Sequence, residues 1–135
     1  MKTVFLDTAF IVALINPNDS LRTRALEVLD LIEGSEFLTT DAVLTEVLNF
    51  YAERGTYLRK KALKYVKSLM QQNDLNLIYH SKYLFNLAIE HYEDREDKGY
   101  SLTDCMSMIV MENHAVQEVA TSDKHFRQAG FTILM

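Results

Sequence analysis

Short apolar or β-branched runs alternate with stretches of helical periodicity along the chain, and this alternation limits the possible folds more than any other feature. Thr3 to Leu6 reads as a buried strand, and the continuously apolar Ala9 to Ile15 as a short buried helix. Asn16-Pro17-Asn18-Asp19 is a turn. Ser20 to Ile32 then places Leu21, Ala25, Val28, Leu29 and Ile32 at helical spacing, until Gly34 stops the helix. Glu36 to Thr39 is a second strand, and Thr40 or Asp41 caps a helix bearing Val43, Leu44, Val47, Leu48 and Tyr51 that ends at Gly55. A helix from Tyr57 to Gln72 and a strand from Leu75 to Tyr79 come next. A helix capped by Ser81 runs to about Tyr92, and a charged loop continues through Gly99. A methionine-rich helix from Ser101 to His114 and strands at Val119 to Thr121 and Phe131 to Leu134 complete the pattern. Strands that alternate with helices predict an α/β fold with a parallel sheet covered on both faces. In such sheets functional residues gather at the carboxyl ends of the strands.

The 135 residues suit a single domain, 1–135, and 48% hydrophobic residues provide a core for it. Pro 1 and Gly 4 argue against linkers and turn-rich all-β folds. The one cysteine, Cys105, excludes an intramolecular disulfide and a cysteine-based zinc site, so a cytosolic location is expected. A net charge of −5 excludes a uniformly basic nucleic-acid coat but allows a local basic patch. The longest apolar run, Ala9 to Ile15, is far short of the roughly 20 residues that span a bilayer. Asp7 interrupts the N-terminal apolar stretch and no small-x-small cleavage site follows, so this segment is expected to be mature structure rather than a signal peptide.

Asp7 directly follows the first strand and Asp123 the fourth, which places both at carboxyl ends of parallel strands. Taken singly, each is as readily a helix N-cap as a functional group. Glu46 lies on the edge of an apolar helical stripe, one turn before Phe50. Asp104 lies one turn before Met108 and two before Met111. A carboxylate at the margin of a core is costly without a partner, and neither has a Lys or Arg at i±3 or i±4. Each could still be solvated at a helix end. Acids packed together without counter-charge raise one another's pKa, and a hard divalent cation reverses this. An ion so held can bind a phosphate oxygen, acidify a water and stabilise a departing oxyanion, which makes phosphodiester hydrolysis the chemistry suited to such a cluster.

Val4-Phe5-Leu6-Asp7-Thr8, Thr45-Glu46, Ser101-Leu102-Thr103-Asp104-Cys105 and Thr121-Ser122-Asp123-Lys124-His125-Phe126 together carry a family pattern. In order, spacing and total length the chain resembles a PIN-domain ribonuclease of the VapC-like type, the toxin of a type II toxin–antitoxin system. The resemblance covers essentially the whole chain. It implies a three-layer α/β/α sandwich with a central parallel sheet of four to five strands, and Mg²⁺- or Mn²⁺-dependent endoribonuclease activity. Carried over residue by residue, Asp7, Glu46, Asp104 and Asp123 form the acidic pocket. Asp7 and Asp104 are then direct metal ligands, and Asp123 binds directly or through water. Glu46 shapes the field or orients the attacking water, and Thr8 and Thr121 are hydrogen-bond partners behind the acids. No catalytic His or nucleophilic Ser is expected. The resemblance also implies a homodimer, and an antitoxin whose tail covers the acidic pocket. Two other readings stand beside it. One is a PIN-like RNA-binding or scaffold module without nuclease activity. The other is a receiver-type signalling domain, which would place paired acids after its first strand, where Asp7 stands alone.

Arg54, Arg59, Lys60, Lys61, Lys64 and Lys67 form a basic cluster, and no acid interrupts Arg54 to Asn73. Three readings are open: the solvated face of an amphipathic helix, an RNA-backbone track, or a dock for an acidic partner. Glu90, Glu93, Asp94, Glu96 and Asp97 read as a solvated helix end and loop. Met106, Met108 and Met111 read as core or dimer packing, Cys105 as a buried hydrophobe, and Tyr51, Tyr57 and Tyr65 as packing rather than base-stacking residues. His125 could contact substrate, but no two His have metal-ligand spacing.

Overall fold

The computed structural model describes residues 2–135. Its elements in chain order are β1 (Thr3–Leu6), α1 (Thr8–Ile15), α2 (Arg22–Leu31), β2 (Glu36–Thr40), α3 (Asp41–Tyr51), α4 (Thr56–Met70), β3 (Leu75–Ile78), α5 (Lys82–Asp94), α6 (Leu102–Asn113), β4 (Glu118–Ala120), α7 (His125–Gln128) and β5 (Thr132–Ile133). All five strands are parallel, in the order β3-β2-β1-β4-β5. The expected sheet and its helical covering, an α/β/α sandwich, are therefore present. A receiver-type domain has the order 2-1-3-4-5, so the topology rules out that reading.

β1 is central because its residues can be buried on both faces. Val4 and Phe5 are fully buried, and the strand pairs with β2 through Val4↔Phe37 and with β4 through Phe5↔Val119. α1 buries every residue from Phe10 to Ile15, which makes it an internal helix that packs against α2, α3 and α4. α5 packs along α6, and α6 reaches β2 and α3. Met108 and Met111 are fully buried in the core, as is Cys105, whose thiol burial pushes up to about 11. Among the described residues no helix is long and apolar enough to cross a membrane.

Local chemistry sets the helix ends. The hydroxyl of Thr40 accepts from Val43 N at the start of α3, and that of Ser81 from Leu84 N at the start of α5. Two left-handed turns, Gly34 (φ 84°) and Gly55 (φ 95°), close the stretches after α2 and before α4, where a Cβ would be strained. α2 starts at Arg22 rather than Ser20, because the Asp19 carboxylate accepts from Leu21 N and holds Asp19–Leu21 in a turn. α5 runs on to Asp94, since charge alone does not end a helix and Glu is a good helix former. α7, four residues long, has no counterpart in the periodicity reading, being too short to show a period.

Tyr51 ties two layers of helix together. It is fully buried, and its hydroxyl donates to the Val12 carbonyl of α1 at 2.7 Å. Tyr51→Phe removes the donor and keeps the ring. It is expected to cost about 1 to 2 kcal/mol, read as a lower urea midpoint at unchanged slope; an unchanged midpoint would show that the bond adds nothing.

Candidate functional site

The strand order reverses between β1 and β4, since β2 and β3 lie on one side of β1 and β4 and β5 on the other. Crevices outside the carboxyl ends of strands at such a point are where open α/β sheets bind ligands. Asp7 follows β1 at this position, and its N–H donates to Ala120 O, the last residue of β4, at 3.2 Å. The Asp7 side chain makes no capping hydrogen bond to α1, although Asp7 occupies the N-cap position. Instead, Thr121 Oγ1 donates to Asp7 Oδ2 at 2.7 Å. The same hydroxyl accepts from Asp123 N at 3.0 Å, so its own proton is directed to the carboxylate.

The other acids arrive from a helix face, a helix start and a turn. Glu46 projects from α3, and Thr8 Oγ1 donates to its Oε1 at 2.5 Å. Asp104 is the third residue of α6, where Ser101 and Asp104 form a reciprocal capping box: Asp104 N donates to Ser101 Oγ and Ser101 N to Asp104 Oδ2. Asp123 Oδ1 accepts from His125 N at 2.9 Å, a tight turn that folds the imidazole back over the carboxylate. Asp104 and Asp123 thus each have a local structural reason to be acidic. Asp7 has none.

Asp7, Thr8, Glu46, Asp104, Asp123 and His125 line one cleft of about 550 Å³. Donor atoms of Asp104, Asp123 and His125 lie within 4.8 Å of one another, the one such group among the described residues. His125 Nδ1 is 2.8 Å from Asp123 Oδ1 and 3.8 Å from Asp104 Oδ2. It is off line for a directed hydrogen bond and stands buried without one. The sequence offers His125 as a substrate contact and, with no second His at ligand spacing, not as a metal ligand; its approach to both Asp104 and Asp123 is what the structure adds.

Among the described residues no Lys or Arg forms an ion pair with any of the four acids. Burial pushes the Asp7 carboxyl up to about 7, with the charges of Asp104 and Glu46 adding to the rise and the Thr121 hydrogen bond opposing it. Asp104 is raised as well, first by burial and then by Asp123, against its hydrogen bonds to Ser101. Such a set fits a divalent cation: its donors are carboxylate oxygens and one imidazole nitrogen, and positive charge is what the buried acids lack.

The basic cluster is placed elsewhere. None of its residues lines the cleft. Lys60, Lys61 and Lys64 border an exposed hollow on α4 with Tyr57 and Tyr65, and Arg59 Nη1 donates to Ala52 O. Tyr57 is exposed rather than packed, because it lies on the side of α4 away from Ala62, Val66 and Leu69. Arg54 comes closest to the site by contact, since its guanidinium lies 3.9 Å from the ring centroid of Phe50, a cleft residue.

Three comparisons complete the picture. The PIN domain family model matches residues 4–132. No curated protein is similar enough in sequence to be matched. Among solved structures, the chain is similar to VapC20 of Mycobacterium tuberculosis, described as a toxin that cleaves the sarcin–ricin loop, with 22% identity over 96% of each chain and a TM-score of 0.85. FitAcB of Neisseria gonorrhoeae is 18% identical over 98% of this chain and 96% of that one, with a TM-score of 0.67. VapBC2 of Rickettsia felis, bound to a DNA fragment from its promoter, is 15% identical over 97% and 96%, with a TM-score of 0.68. At these identities the likeness is one of fold.

The buried Asp7 has a consequence for stability in metal-free buffer. Its carboxyl titrates near 7 in the folded chain and near 3.8 when exposed. Between these values the folded state holds a proton that the unfolded state has released, so stability falls as pH rises through this window. Asp7→Asn carries no such charge. The variant is expected to be close to the parent in stability near pH 4, to gain on it steadily as pH rises through the window, and to lead it at pH 8 by an amount on the order of a few kcal/mol; a difference independent of pH would contradict the burial argument.

Proposed function

The chain belongs to the PIN-domain family, and from that premise we propose that it is a metal-dependent endoribonuclease, the toxin half of a toxin–antitoxin pair. The observation that supports this most is Asp7, a buried carboxylate at the sheet's reversal point that makes no capping bond, pairs with no cation and shares its cleft with Glu46, Asp104 and Asp123.

Asp7, Asp104 and Asp123 would hold Mg²⁺ or Mn²⁺, with His125 adjoining them. The ion, when bound, supplies charge for a phosphate oxygen and a lower pKa for a water. Thr121 fixes the rotamer of Asp7, and the capping box fixes that of Asp104. Thr8 occupies one oxygen of Glu46 and leaves the other free to accept from a water and turn it toward the phosphate. The reaction is in-line: a water oxygen bonds to phosphorus, the P–O3′ bond breaks, and the proton ends on the departing 3′ oxygen. The products are a 5′-phosphate and a 3′-hydroxyl, and the 2′-hydroxyl is not used. An antitoxin tail covering this cleft, and a homodimer, belong to the same reading; the fold likeness to VapBC2 and FitAcB supports an antitoxin partner, and the tail's placement and the homodimer rest on the family resemblance.

The test is cleavage of total RNA by the purified chain with Mg²⁺ or Mn²⁺. Asp104→Asn keeps an acceptor for Ser101 N and so keeps the cap; it is expected to cut about a hundredfold or more slowly. Cutting that survives chelation and this substitution would remove the support for the site. No cutting by a folded, metal-binding chain would favour the binding-module reading.

His125 also shapes the choice of ion. Imidazole is a poor partner for Mg²⁺ and an acceptable one for Mn²⁺. His125→Asn is expected to weaken Mn²⁺ binding, followed by calorimetry, about tenfold while leaving Mg²⁺ binding within twofold; equal losses for both ions would mean that the ring only positions Asp123.

A further inference from the structure

Val12 follows Thr8 by one turn of α1 and Phe50 follows Glu46 by one turn of α3, so an apolar end of the cleft adjoins the acids; Leu21 lines the same cleft, as do its neighbours Asp19 and Ser20. Hydrolysis of a phosphodiester needs the acids and has no use for the apolar side chains. Phe50 is 40% exposed and Leu21 36%, so apolar surface is open to solvent directly beside a group of carboxylates. Phe50 lies one helical turn beyond Glu46 on the same face of α3, which fixes the spacing between ring and acid. The ring is also held in place. Arg54 stacks 3.9 Å from its centroid and anchors itself by donating from Nε to Phe50 O at 2.6 Å. Tyr51, itself locked to α1, meets the ring edge-on at 5.0 Å between centroids and 83° between planes. Arg54 does not line the cleft, whereas Phe50 does and keeps part of its surface exposed.

A cleft acidic at one end and aromatic at the other matches the two halves of a nucleotide. We propose that the Phe50 end is a nucleobase subsite, in which an unpaired base next to the scissile phosphate stacks on Phe50 against Leu21. The proposal rests on the endoribonuclease reading and adds a specificity to it. Stacking on an aromatic ring accepts any base, because every base has a π-face. It requires the base to be splayed out, and a paired A-form helix keeps its bases stacked inside. The subsite therefore selects single-stranded or looped RNA over duplex, without reading base edges. The preformed ring lowers the ordering cost of binding. Through its stack with Phe50, Arg54 also sets one cation of the basic cluster beside the subsite, where it would attract an RNA backbone.

Two readouts test this. The chain has no tryptophan, so Phe50→Trp in the Asp104→Asn background, excited at the red edge where its tyrosines do not absorb, gives a tryptophan emission from that position alone. With Mn²⁺ present, a single-stranded oligoribonucleotide spanning a site mapped in total RNA is expected to quench it. The same strand in a duplex, or with abasic residues around the site, is expected not to. In the otherwise unaltered chain, Phe50→Leu is expected to raise KM for the single strand roughly tenfold at unchanged kcat, and Phe50→Tyr to stay within about twofold of the parent. A parent that cuts RNA while Phe50→Leu keeps its KM, or a tryptophan quenched equally by the abasic strand, overturns the subsite and leaves the nuclease reading in place. A parent that neither binds nor cuts RNA overturns both.

Discussion

The hydrogen bond from Thr121 Oγ1 to Asp7 Oδ2 joins the ends of the two strands between which the sheet changes direction. Because the same hydroxyl accepts from Asp123 N, one threonine sets the orientation of one acid and the backbone position of another. The β1–β4 ladder supplies the rest of the alignment, with Leu6 opposite Ala120 and Asp7 N bonded to Ala120 O. Asp104 and Glu46 are then brought in by helix starts and helix faces, each held by a hydroxyl or amide of its own neighbourhood. The acids thus converge because rigid elements aim them, not because they attract one another.

That convergence runs against the interests of the fold. A carboxylate at Asp7 is buried beside other acids, and neither the helix cap nor an ion pair compensates it. The surrounding core, with Phe5, Ile11 and Val119 essentially buried, provides the stability that lets such a group persist. Where local rules of stability are broken at one point and respected around it, the broken point is the place to look for function.

Much of this was legible in the sequence, and the parts that were not have physical reasons. The strand–helix alternation, the caps at Thr40 and Ser81, and the burial of the Ala9 to Ile15 helix follow from periods and capping chemistry that are local. The approach of Asp7 to Asp104 and Glu46 needs a strand order, which spacing alone does not provide; the family pattern stood in for it. α7 and the position of His125 escaped because a four-residue helix and an Asp-x-His turn have no periodic signature. The charge pattern does not by itself place the basic cluster: Lys60, Lys61 and Lys64 border a hollow on α4 away from the cleft, and Arg54 reaches a cleft residue, Phe50, through an aromatic ring that the charge pattern does not involve.

The Thr121–Asp7 contact spans 114 positions of the chain. A polypeptide growing from its N-terminus can form β1, α1 and the β1–β2 pair early, but one edge of β1 stays open until residues 118–120 are synthesised. Only then does the sheet reverse, and only then do Asp123 and His125 join Asp7. The centre is therefore among the last parts of the molecule to be assembled during translation. A nascent chain carries its first acid for most of its synthesis without the partners that complete the cleft.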